Sequence, residues 1–170
     1  MLLRQATLDD ARAIAAVHVR SWQGAYKGVV PSAVLNALSV EERARAWRQN
    51  LERRSSETWV AERNGQVVGW ISAGRSRDAD STPATGEVWA IYVDPAFWRG
   101  GAGRGLWREA ENYLIESGFS EVTVWVLKAN GPAIAFYEAS GLAIDSGVEQ
   151  TVRLGGVELP EIRLRKRVGG

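Results

Sequence analysis

A chain of 170 residues, 45% of them hydrophobic, can bury one core and is short for two, so a single domain over residues 1–170 is expected. Lys and Arg number 21 against 20 Asp and Glu, a net charge of +1 that argues against both a disordered polyelectrolyte and a dedicated nucleic-acid surface. The absence of cysteine removes disulfides, thiolate zinc sites and covalent cysteine chemistry, and one histidine, His18, with no GxSxG elbow cannot make a His-rich metal centre or a serine triad.

The amino terminus, MLLRQATLDD, turns acidic before an apolar stretch of leader length develops, and no run reaches the ~18 apolar residues of a membrane span. A soluble cytoplasmic protein with no membrane partner is the expectation. Thr7 and Asp10 cap a helix whose stripe of Ile14, Val17 and His18 runs to about Trp22, with Gly24, Gly28 and Pro31 ending it. Ser39 and Glu42 form a capping box for a second helix that turns Ala46, Trp47 and Leu51 inward. Two β-branched and aromatic runs around Asn64-Gly65 predict a hairpin. Residues 75–85, RSRDADSTPAT, are polar without periodicity and read as a mobile loop near the site.

GEVWAIYVDP is a strand stopped by Pro95, followed by glycines at 100, 101, 103 and 105 that open a helix with Leu106, Ala110, Tyr113 and Leu114 inside and Gly118 at its end. SEVTVWVLKAN is a buried strand, and GPAIAFYEAS a short helix with Pro132 in its first turn and Gly141 past its end. The tail pairs two strands around Gly155-Gly156, with RLRKR as the solvated face of an edge strand. The order predicts an α/β fold with a mixed, mostly antiparallel sheet flanked by helices. Only the strands joined across the glycine helix should be parallel, because a crossover helix connects them.

A strand that turns into a helix presents free N–H groups and a positive dipole end to an anion, and glycines let a phosphate approach the backbone. Arg99 and Arg104 add cations, so the stretch from Arg99 to Arg104 reads as a pyrophosphate cradle, unless it is only a glycine-rich turn. Leu106 follows Gly105 where a Walker loop needs Lys, and it stands where a dinucleotide motif needs its third glycine.

From Glu87 through Leu142 the chain resembles the GNAT-type N-acetyltransferases, whose signature is a strand, then Q/R-x-x-G-x-G/A opening a helix, then a strand and a helix bearing N…A…Y…G. Here these are Trp98-Arg99-Gly100-Gly101-Ala102-Gly103 and Asn130, Ala133, Tyr137 and Gly141, with Trp98 departing from the usual Gln or Arg. The resemblance implies acetyl-coenzyme A as cosubstrate, without metal, and a direct transfer of acetyl to a small-molecule or peptide amine. Its pyrophosphate would lie on residues 98–104. Its pantetheine arm would run between splayed strands, held by the main chain of Ile91, Tyr92 and Val93, with Asn130, Ala133 and Phe136 on the other side.

Glu87 matches a position where some family members carry a general base, and an ammonium of pKa ~10.4 needs one; it could equally be a polar residue at a strand start. A period of two puts it on the face of Trp89, Ile91 and Val93. Tyr137 matches the tyrosine that protonates the departing thiolate. Asn130 would touch the pantetheine arm, or only cap the helix before Pro132. His18, Trp22 and Tyr26 fall at i, i+4 and i+8 and form a candidate acceptor wall, the alternative being core packing. Trp47, Trp59, Trp70, Trp107 and Trp125 are expected in core or interface positions. A homodimer through the terminal strands is compatible with the sequence. The rival functions are a non-catalytic acyl-coenzyme A-binding module and a nicotinamide-dinucleotide binder.

Overall fold

The structure, a computed structural model, describes residues 1–169. Seven strands form one sheet in the order β1-β2-β3-β4-β5-β7-β6: β1 Leu2–Gln5, β2 Glu57–Arg63, β3 Gln66–Arg75, β4 Thr85–Val93, β5 Glu121–Leu127, β6 Ala143–Leu154 and β7 Val157–Arg167. All neighbours are antiparallel except β4 and β5, which are joined by helix α4 (Ala102–Glu116) as the crossover rule requires. Leu106, Trp107, Ala110 and Leu114 of α4 are buried against Ile71, Val88, Val122 and Val124, and α5 (Gly131–Ala139) adds Tyr137 to that face. The opposite face carries α1 (Ala11–Ala25), whose Ile14 and Val17 meet Val60, Val67 and Trp70. Helix α3 (Val40–Arg53) leans on α1 through Trp47 and Leu51.

One extra residue in β4 shapes the site. Ser72 pairs with Ala90 and Ala73 with Val88, so Trp89 is bulged out of the ladder. Below the bulge, Thr85–Val88 pair with Glu121–Val124; above it, β4 stays with β3 as far as Val93 while β5 stays with β7 as far as Leu127. The parallel pair therefore opens at its carboxyl end, the splay that the resemblance implied. The bulge also resets the alternation of side chains. Glu87 shares its face with Ala90 and Tyr92, whereas Val88, Ile91 and Val93 face α4, so the expected common face of Glu87 with Ile91 and Val93 is corrected.

Four further expectations are revised. Gly24 does not break α1 but lies inside it, where a Cβ would come within 2.6 Å of the Pro95 ring. On α3 the half-buried alanine is Ala44, and Ala46 is exposed. The basic tail is no edge strand: β7 lies between β5 and β6, and Leu164 is fully buried. Residues 75–85 are tied down rather than mobile, through side chains described below. Strand β1 and the five-residue helix α2 (Ser32–Asn36) add to the elements expected from the sequence.

Candidate active site

The glycine stretch makes two left-handed residues in quick succession, Arg99 at φ 61° and Gly101 at φ 85°, and Gly101 caps α4. The first bond of the helix runs from the Gly105 N–H to the Gly101 carbonyl at 3.0 Å, so the N–H groups of Ala102, Gly103 and Arg104 point out of its end. Gly100 donates to Phe97, and the exposed Arg99 and Arg104 make no ion pair among the described residues. A Cβ on Gly103 would lie 3.5 Å from the Phe136 ring, so Phe136 packs close beside the first turn of α4.

At the mouth of the splay the Asp94 N–H pairs back to β3 through the Val68 carbonyl at 2.8 Å, which turns the main-chain groups of Ile91 and Val93 toward the gap. The Val93 carbonyl is already held by the Trp98 indole N–H at 2.7 Å and the Ser21 hydroxyl at 2.9 Å. Trp98 thus uses its one donor on the strand, where the family's Gln or Arg would offer a polar side chain. Asn130 does cap α5, its Oδ1 accepting the Ala133 N–H at 3.2 Å.

Three phenols meet across the gap. Tyr137 is 5% exposed and packs on Trp107 and Phe136 at 5.7 and 5.5 Å; burial raises its pKa, as does the neighbouring Tyr26. Burial likewise drives Tyr92 and Tyr26 upward, with the two hydroxyls and the Asn130 amide beside one another. All three are proton donors at neutral pH. Among the described residues, the Tyr137 hydroxyl has no hydrogen-bond partner.

His18, Trp22 and Tyr26 pack together as one aromatic row. His18 stacks on Tyr92 at 5.0 Å and tilts against Trp22 at 5.4 Å, and Trp22 meets Tyr26 edge-on at 5.2 Å. Tyr92, expected to contribute main chain alone, is the ring that joins this row to the gap. Trp70 and Trp47 complete the cluster. Burial, then the Arg43 charge, push the His18 pKa down to about 3, so the ring is neutral in the fold. An unfolded imidazole takes up a proton near pH 6.5, so the unfolded state binds more protons between about pH 6.5 and 3. Folding stability should then fall on acidification by up to about 1.4 kcal/mol per pH unit. Urea unfolding at pH 7, 6 and 5 checks this, and His18→Gln should flatten the slope.

Glu87 is 1% exposed and fully engaged. Arg77 donates its main-chain N–H at 2.9 Å and Nε at 3.2 Å to Oε2, and its outer nitrogen to Oε1. The same guanidinium lies over the bulged Trp89, 4.4 Å from the ring centroid. Asp78 and Asp80 anchor the rest of this segment on Arg163 of β7, which also holds Asp145, and Trp125 donates to Asp78 at 2.9 Å. Neither the Arg77 clamp nor the Arg163 hub has a sequence signature, since the partners lie 10 to 85 positions apart.

The candidate site is thus a sheet opened beside a bulge, with a glycine-capped helix on one side of the opening and three phenols on the other. The chain belongs to the acetyltransferase (GNAT) family, whose pattern residues 18–142 match. It is 35% identical over 163 residues to the uncharacterized N-acetyltransferase YuaI of Bacillus subtilis strain 168, covering 95% of this chain and 90% of that one. Ribosomal-protein-alanine N-acetyltransferase from Brucella melitensis superposes with a TM-score of 0.77 at 25% identity, over 99% of this chain and 100% of that one. PaiA N-acetyltransferase from Thermoplasma acidophilum, solved with coenzyme A, has the same fold, with a TM-score of 0.76 at 17% identity and 98% of each chain covered. No helix among the described residues is long and apolar enough to cross a membrane.

Proposed function

We propose that this N-acetyltransferase moves acetyl from acetyl-coenzyme A to a primary amine by direct attack in a ternary complex. The observation that carries it is the bulge-opened β4–β5 pair, with free N–H groups of Ala102, Gly103 and Arg104 at one side and the Tyr26, Tyr92 and Tyr137 phenols at the other. Those N–H groups, with Arg99 and Arg104, suit the cosubstrate's pyrophosphate. Ile91 offers main-chain groups to the amide-rich arm like an added strand, and Phe136 walls it.

Glu87 is assigned the amine's proton, taken directly or through water once Arg77 swings away; the Arg77 side chain is 56% exposed and can be replaced by an incoming ammonium. The amine nitrogen then bonds the acetyl carbon, the C–S bond breaks, Tyr137 gives its proton to the thiolate, and the second proton shed by the nitrogen restores the Tyr137 phenol, directly or through water. His18, Trp22 and Tyr26 shape the acceptor side. Because the chain has no cysteine, thiol release read with a thiol-reactive dye has no protein background. Release from acetyl-coenzyme A above the amine-free rate is expected for one class in a panel of amines and peptides. Tight binding of acetyl-coenzyme A with no release across the panel would favour a binding module instead.

A further inference from the structure

Every other half-buried or buried arginine of this protein has a carboxylate. Arg4 holds Asp10 at 2.7 Å, and Arg163 holds three aspartates. Even the more exposed Arg20 and Arg77 are paired, with Asp94 and Glu87. Arg43, half-buried on α3, is the exception: among the described residues no carboxylate lies within 4 Å of it. Its guanidinium lies over the Trp22 ring, 5.0 Å from the centroid, and meets the neutral His18 ring at 3.4 Å.

A desolvated, uncompensated cation is costly to a fold, and a guanidinium offers a planar fork of donors suited to an oxyanion. Burial lowers the Arg43 pKa while the neighbouring Tyr92 oxygen raises it, and an arginine stays charged. Its position supplies the rest. Arg43 covers Trp22, Trp22 meets Tyr26, and Tyr26 lies beside Tyr92 and Asn130 at the open gap, so the cation stands one aromatic ring away from the phenols on the acceptor side.

We propose that Arg43 binds the carboxylate of the acceptor, so that the substrate is a small amine carrying a carboxylate near its nitrogen, an α-amino acid rather than a protein amino terminus. This rests on the acetyl-transfer assignment above, and its test separates the two. Acetyl transfer is measured for a set of α-amino acids and for their carboxamides, which mimic a peptide amino terminus. The wild type should favour the acids by about 30-fold in kcat/KM, the order of one charge-assisted bidentate contact. Arg43→Gln should bring that ratio close to one and Arg43→Lys should keep part of it, because the charge stays and the fork is lost. Since Arg43→Gln removes an unpaired charge, its melting temperature should equal or exceed that of the wild type.

Equal use of acids and amides by the wild type, or an acid preference that survives in Arg43→Gln, overturns the proposal and leaves acetyl transfer standing. Calorimetric titration of the amino acids into the coenzyme A complexes of both proteins reads the anion site without turnover. Binding that Arg43→Gln abolishes supports the site even where no acceptor is acetylated, an outcome that would overturn acetyl transfer alone. Titration curves that are the same for both proteins count against the site.

Discussion

Tyr137→Phe is expected to lower kcat by about 100-fold, the lower end of general acid catalysis, while the Kd for acetyl-coenzyme A stays within a few-fold of wild type. Burial keeps the phenol protonated at neutral pH, so it can hydrogen-bond the departing thiolate; because a thiol of pKa ~8.5 is the stronger acid, the transfer is completed only as the nitrogen's proton returns to the phenolate. Phenylalanine keeps the ring that packs on Trp107 and Phe136. With no hydrogen-bond partner for the hydroxyl among the described residues, the variant should lose less than about 1 kcal/mol of stability. Stopped-flow acetyl transfer beside an equilibrium binding titration checks both halves; wild-type turnover would remove Tyr137 from the chemistry. Glu87→Gln makes the contrast. It should depress kcat/KM mainly at neutral and lower pH, where the amine arrives charged and needs a base, and less at alkaline pH, where it arrives neutral.

The parts of this molecule that the sequence made legible are those written in local signals. The Thr7 and Ser39 caps, the Asn64-Gly65 turn and the Gly101–Leu114 helix each combine a turn residue with a hydrophobic period, and each is found within a few residues of its expected place. The glycine stretch and the Asn130–Tyr137 spacing carried the candidate site for the same reason. What stayed hidden depends on partners far along the chain. Strand β1 is four residues that become a strand only by pairing with β2. The bulge at Trp89 has no glycine or proline to announce it, and it alone turns Glu87 to the other face. The insertion of β7 between β5 and β6 converts a run that looks solvated into the buried setting of Arg163. Residues 75–85 look mobile by composition, yet Asp78 and Asp80 find their cation 85 and 83 positions later.

That hub sets the largest stability effect expected here. Arg163→Ala should cost about 3–5 kcal/mol, roughly 10 °C in Tm for a domain of this size, because it strands the part-buried Asp78 and Asp145 side by side without their cation. Arg163 is 5% exposed, its fork serves Asp80 at 2.7 Å through both outer nitrogens, and no other arginine or lysine pairs with Asp78 or Asp80 among the described residues. If the cost is stranded charge, then Arg163→Ala combined with Asp145→Asn should recover a substantial part of it, whereas lost packing alone would make the two changes additive. The same arginine pins the segment that carries Arg77, so its loss should also free Glu87 from its clamp. Faster hydrogen exchange of the Arg77 amide, which donates to Glu87, would read that release. A stability loss with unchanged protection of the Arg77 amide would mean that Arg77 finds Glu87 without help from β7, and that the hub serves the fold alone.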